Sequence, residues 1–176
     1  KLNQYKSLDN ETMSIKKALS MLDDFVDPSD PDVVLPNSVH AYQTAERIRK
    51  KHPLEYELQI TGLIHDLGKV LFKFGEQSHT VVGDTYVVGA EFPKSIVYYD
   101  TLKDNDDFNN PMYNDKNGVY KEACGLKELK IAFGHDEYLY LVLKKNKNHS
   151  LSEKYWDIIR YHSLYPWHTN GEYKHF

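Results

Sequence analysis

"TGLIHDLGKV", residues 61–70, places a histidine directly before an aspartate inside an otherwise apolar run. Leu63, Leu67, Val70, Leu71 and Phe74 recur at helical spacing around the pair, which predicts one helix over about 54–73. His65 and Asp66 therefore interrupt a stripe that ought to face a core. They are a satisfied core pair, a surface accident, or half of a metal site. Gly62 and Gly68 flank His65 at i−3 and i+3, and their missing side chains leave room for a metal or for another helix. Lys69 lies at i+4 from His65 and i+3 from Asp66, so it shares their face. Taken alone, it reads as a surface lysine with a snorkelling stem.

The rest of the chain decides among these readings. Its 176 residues suit one domain, 1–176, with one substantial core. A 40% apolar content and a net charge of −4 fit a soluble globular protein. No basic block suggests nucleic acid, and no apolar run is long enough to span a bilayer. No secretory signal pattern opens the sequence. A single cysteine, Cys124, cannot close an intramolecular disulfide, so the cytoplasm is the expected location. Helical patterns occupy about 12–25, with Thr12 as cap, and 39–51, with Ser38 as cap. They return near 126–132, 135–147 and 151–164. Between 75 and 125, glycine, proline, asparagine and aspartate dominate, and short β-like runs such as "TYVVG" and "SIVYY" allow a small hairpin at most. The fold class is all-α, a helical bundle with long ordered loops.

Nine histidines are many for this length. His52, His79, His149 and His175 stand among polar or loop residues and read as surface groups. His40, His65, His135 and His162 each sit in a helical pattern, and Asp66 adds a carboxylate. A single buried histidine is more often a hydrogen-bonded core residue than a ligand. Four histidines and one aspartate on four helices are a different matter, because a bundle can aim them at one place. Imidazole nitrogen and a carboxylate able to bridge two ions suit divalent metals.

The ordered series of histidine, histidine-aspartate, histidine and histidine resembles the HD-domain superfamily of helical metal proteins. The flanking words are more specific. "DPDVVLPNSVHAYQTAERIRKKHP", "GLIHDLGKV", "VVGDTYVVG", "GHDEYLY" and "RYHSLYPWHT" resemble, in order and at nearly the same spacing, the myo-inositol oxygenase family. The likeness runs from about residue 12 to the last residue. It implies an HD-domain-like bundle holding two iron ions as a mixed-valent di-iron centre. The implied reaction cleaves the ring of myo-inositol with O₂ to give D-glucuronate and water, in a cytoplasmic monomer. Carried onto matching positions, His40, His65 and Asp66 would bind one iron, and Asp66 would bridge to a second held by His135 and His162. Lys69, Asp27, Ser29, Gly83, Asp84, His162 and Ser163 would surround the polyol, with Lys69 holding a substrate oxygen. A neutral hexol offers no charge to grip, so hydrogen bonds must supply its specificity. By their residue types alone, Asp27, Ser29 and Asp84 are ordinary loop and turn residues.

The likeness has two departures. The family's sixth protein ligand is an aspartate on a further C-terminal helix, and the sequence ends at "NGEYKHF". An arginine from the family's N-terminal arm also has no counterpart. On this reading the second iron lacks a carboxylate, and His168 or His175 is a weak candidate substitute. Two alternatives stand beside the oxygenase. One is a metal-dependent phosphohydrolase, the common activity of HD domains. Such enzymes need arginine or lysine to neutralise phosphate, and Lys69 and Arg160 are the cations near the proposed ligands. The other is a metal-binding remnant with a defective site.

Overall fold

The computed structural model describes residues 2–5, 7–25 and 35–176. No strand forms among them, and an isolated antiparallel bridge from Val87 to Ile131 stands where a hairpin was allowed for. The chain divides into two compact units. One contains the residues up to Gly83 together with Phe133–His162, and the other contains Asp84–Ala132 with Ser163–Phe176.

In the first unit, α1 is Leu2–Tyr5, α2 Ile15–Met21, α3 Asn37–Lys51, α4 Tyr56–Ile64, α5 Ser78–Val81, α6 His135–Lys145 and α7 Glu153–Tyr161. Ser14, not Thr12, caps α2, its Oγ accepting the Lys17 N–H at 3.2 Å. The expected 12–25 helix thus starts later, and it ends in a 3₁₀ turn, Leu22–Asp24. Helix α3 begins behind Pro36 instead of a Ser38 cap, and Arg49, Lys50 and Lys51 complement its negative end.

The largest departure falls on the stretch that opened the reading. The single helix expected over 54–73 is two segments: α4 stops at Ile64, and a 3₁₀ helix runs over Leu67–Phe74. Asp66 stands between them at φ −94°, ψ 2°, in the sparsely populated bridge region. The Lys69 N–H reaches the Asp66 carbonyl at 2.9 Å, which is the tighter three-residue pattern. Gly75, at φ +85°, closes the segment. Apolar spacing cannot distinguish these windings over two turns, because Leu67, Val70 and Leu71 are buried either way.

Helix α3 packs on α4, and α6 packs on both α7 and the 3₁₀ segment. Leu19, Leu22, Ala41, Ile64, Leu71, Leu139, Leu143 and Ile159 form the core between them. Each large aliphatic side chain there contributes roughly 1.5–3 kcal/mol by leaving water. Tyr5 stacks on Phe133 at 5.9 Å and donates its hydroxyl to Glu76 Oε1 at 2.9 Å, tying the N-terminal turn to this core. The two glycines beside the pair now have a reason. A Cβ on Gly62 would stand 2.4 Å from Ile48 Cδ1, and one on Gly68 would stand 1.8 Å from the His135 carbonyl oxygen. The room they leave is taken by α3 and α6, not by an ion.

The second unit is mostly ordered loop, with α8 at Tyr165–His168 and 3₁₀ turns at Tyr99–Asp104, Asp106–Asn109 and Leu126–Glu128. The last of these is all that forms of the helix expected near 126–132. "SIVYY" runs into a 3₁₀ turn instead of a strand. Val87, Phe92, Ile96, Leu129, Ile131 and Tyr173 are buried. The Val88 N–H to Lys130 O and Ala132 N–H to Tyr86 O bonds, both 2.8 Å, pair the segments on either side of the bridge.

Gly68→Ala tests the close approach. In an unobstructed helix this change stabilises by about 1 kcal/mol. Here the contact is with backbone, so a loss of about 1–3 kcal/mol or more is expected in urea unfolding. Unchanged or increased stability would contradict the packing described.

Candidate metal centre

Four imidazoles and one carboxylate converge within the first unit. His40 projects from the body of α3, and His135 is the first residue of α6. His65 and His162 occupy the same local position, the residue just past the ends of α4 and α7. Each turns its Nδ1 back onto a carbonyl three residues earlier, His65 to Gly62 O at 2.8 Å and His162 to Ile159 O at 2.6 Å. The end of a helix has carbonyls without intrahelical donors, so these bonds satisfy the backbone as well. An imidazole whose Nδ1–H is donated in this way presents Nε2 as a lone pair, the tautomer a metal requires.

The Nε2 atoms meet in two pairs. Those of His40 and His65 are 3.3 Å apart, and those of His135 and His162 are 3.1 Å apart. Asp66 lies between the pairs, 3% exposed. Its Oδ2 faces His65 at 3.4 Å and His40 at 3.8 Å. Its Oδ1 faces His135 at 3.3 Å and His162 at 3.4 Å. Ligand atoms therefore gather as two groups, His40–His65–Asp66 and Asp66–His135–His162, with Asp66 common to both. Neighbouring donors about 2.0–2.2 Å from one ion stand roughly 3 Å apart, so both spacings suit a cation in each group. The donor set, imidazole nitrogen with one bridging carboxylate, fits transition metals.

Lys69 is not a snorkelling surface residue. It is buried, and its Nζ donates to Asp66 Oδ2 at 2.9 Å. Burial pushes the Asp66 carboxyl up, but His65, His135, His162 and Lys69 outweigh it and hold the carboxyl well below the usual range. Burial holds the His65 imidazole down to about 4. Burial acts the same way on His162, yet the facing Asp66 carboxylate prevails and raises it.

The remaining expected site residues vary. Gly83 has φ +98°, a conformation that favours glycine, with open space where a Cβ would be. Asp84 accepts the Val97 N–H at 3.3 Å, and partial burial raises its carboxyl. Ser163 is buried, its carbonyl accepting the Thr85 N–H at 3.0 Å. Asp27 and Ser29 lie outside the described residues. Neither His168 nor His175 belongs to a ligand group among the described residues. His149, expected at the surface, is half-buried against Trp156 and bonds to Leu143 O at 2.8 Å. Sequence reasoning overlooked Asp136 and Glu137, both buried beside His135. Two adjacent acids ahead of the apolar "YLYLVL" were the available signal. Arg160 pairs with Glu137 at 2.6 Å and lies over the rings of Tyr140 and Tyr161.

The family model for myo-inositol oxygenase matches residues 1–176. The inositol oxygenase of Mus musculus is 49% identical over 97% of this chain, which covers 60% of that protein. That of Danio rerio is 48% identical over 93% of this chain and 59% of its own length. Inositol oxygenase 1 of Arabidopsis thaliana is 48% identical over 98% of this chain and 56% of its own length. The chain thus spans a little over half the length of these relatives.

His65 and His162 should take up an ion with different proton costs. At neutral pH His65 is already neutral, since its value lies near 4. His162, raised above its ordinary 6.5, must give up a proton to bind an ion. A raised histidine holds its proton below that raised value, so affinity at the His135/His162 group falls as the pH drops through it. Titration of metal-free protein with ferrous ion near pH 6.5, in buffers of different ionisation enthalpy, should show net proton release. Uptake of two ions without proton release would contradict this assignment.

Proposed function

This chain belongs to the myo-inositol oxygenase family, and on that premise we propose that it is the metal-binding part of an oxygenase converting myo-inositol and O₂ to D-glucuronate. The observation that carries the reading is the doubled ligand group around Asp66. One ion would be held by His40, His65 and Asp66 Oδ2, the other by His135, His162 and Asp66 Oδ1. Two iron ions in mixed valence are the proposed occupants. Bound there, they would supply O₂ chemistry and Lewis acidity toward a diol.

The chain's own residues provide the rest. Asp66, common to both ligand groups, would hold both ions and offset part of their charge. The Nδ1 bonds of His65 and His162 keep both rings in the ligating tautomer. Lys69, buried beside the Oδ2 side of the bridge, is proposed to hold a substrate oxygen and favour its anionic form. Gly83, Asp84, Ser163, Asp27 and Ser29 are proposed to supply further hydrogen bonds to the polyol. No helix among the described residues is long and apolar enough to cross a membrane. A cytoplasmic, monomeric enzyme is the accompanying proposal.

The phosphohydrolase alternative needs cations for phosphate. Arg160, the second cation near the ligands in sequence, is instead engaged by Glu137 through bonds of 2.6 and 3.3 Å. That engagement favours an uncharged substrate.

Metal analysis with product assay tests the reading. Two irons per chain and O₂-dependent glucuronate formation are expected. Phosphate release from nucleotides, without glucuronate, would overturn it. Lys69→Met should retain the metals while kcat/KM falls by the equivalent of about 1.5–3 kcal/mol, the worth of a charged hydrogen bond. An unchanged kcat/KM would remove Lys69 from substrate binding.

A further inference from the structure

Asp136 is the second residue of α6, directly after the ligand candidate His135. It is 1% exposed, one of the most completely buried ionisable groups among the described residues. Its Oδ1 accepts the N–H of its neighbour Glu137 at 2.8 Å. Its Oδ2 is buried and has no hydrogen-bond partner. The guanidinium of Arg160 pairs with the neighbouring Glu137. A buried carboxylate left in this state is strongly unfavourable unless a positive charge offsets it. The bond to Glu137 N–H places Asp136 at the positive end of α6, which offsets it in part. Asp136 belongs to neither ligand group, so it is not placed to touch an ion. Asp66, shared between both groups, is the one carboxylate among those ligand atoms.

We propose that Asp136 is the counter-charge of the His135/His162 metal position, a positioning residue that offsets the second ion's charge through its neighbour His135. The inference rests on the two-ion reading given under Proposed function. A helix cap would also explain the Glu137 bond. The cap, however, uses Oδ1 alone and gives no reason to bury Oδ2 without a partner. The two roles differ in sign. A cap stabilises the protein whether metal is present or not. A counter-charge strains the metal-free protein and strengthens only the metal-bound one.

The test compares the whole chain with Asp136→Asn and Asp136→Ser. Both keep a short acceptor for the Glu137 N–H and remove the charge. Two readings are taken: thermal stability without metal, and release of ferrous ion to a competing chelator. The metal-free variants should melt at the wild-type temperature or above it. One of their two ions should leave roughly 10–100-fold more readily, the range usual for groups just outside a metal's own ligands. Lower metal-free stability with unaltered ion release, or failure of both variants to fold, would overturn the proposal and leave a cap. A wild-type chain that takes up no second ion would overturn the two-ion reading itself, and this inference with it.

Discussion

One carboxylate organises this molecule. Asp66 turns one oxygen to His40 and His65 and the other to His135 and His162. Paired imidazole nitrogens 3.1–3.3 Å apart need a proton or a cation between them. Only a group with two acceptor oxygens on opposite sides can serve both pairs at once. Its burial would be prohibitive alone. Lys69, at 2.9 Å, compensates it within the protein.

The surrounding fold serves that placement. Asp66 reaches its position because α4 stops and the chain tightens into a 3₁₀ segment. A continuous α-helix would turn its side chain along another line. Gly68 then lets the tightened segment lie against the first residue of α6, which brings His135 to the carboxylate. The same device appears at two of the ligand candidates. A histidine just beyond a helix end bonds back to the third carbonyl before it, at His65 and again at His162. Helix termini, where backbone groups lack partners, thus become the places where these two imidazole rings are oriented.

Much of this was legible in the residues. The spacing of His40, His65–Asp66, His135 and His162 identified the ligand candidates, and the structure brings those five together. The helical class was legible because long apolar periodicities dominate the first unit. The break at Asp66 was not, since Leu67, Val70 and Leu71 satisfy both windings. The role of the glycines was open, because a missing side chain does not say what fills the space. Lys69 read as surface because a lone lysine normally is, and only its pairing with Asp66 makes burial tolerable. His149 and Asp136 were missed for a related reason: burial of a polar group in a loop or at a helix start leaves no periodic trace, and the paired acids before "YLYLVL" were the one signal for Asp136. Between 75 and 125, turn-rich composition signalled loops but neither the short α5 nor the 3₁₀ turns.

The central claim is that Asp66 bridges two ions, each completed by one histidine pair. Anomalous X-ray scattering at the iron edge, from crystals of the metal-loaded protein, addresses it most directly. The account predicts two peaks roughly 3.5–4 Å apart. One should lie among His40, His65 and Asp66 Oδ2, the other among His135, His162 and Asp66 Oδ1. A single peak, or two peaks with both Asp66 oxygens on the same ion, would contradict it.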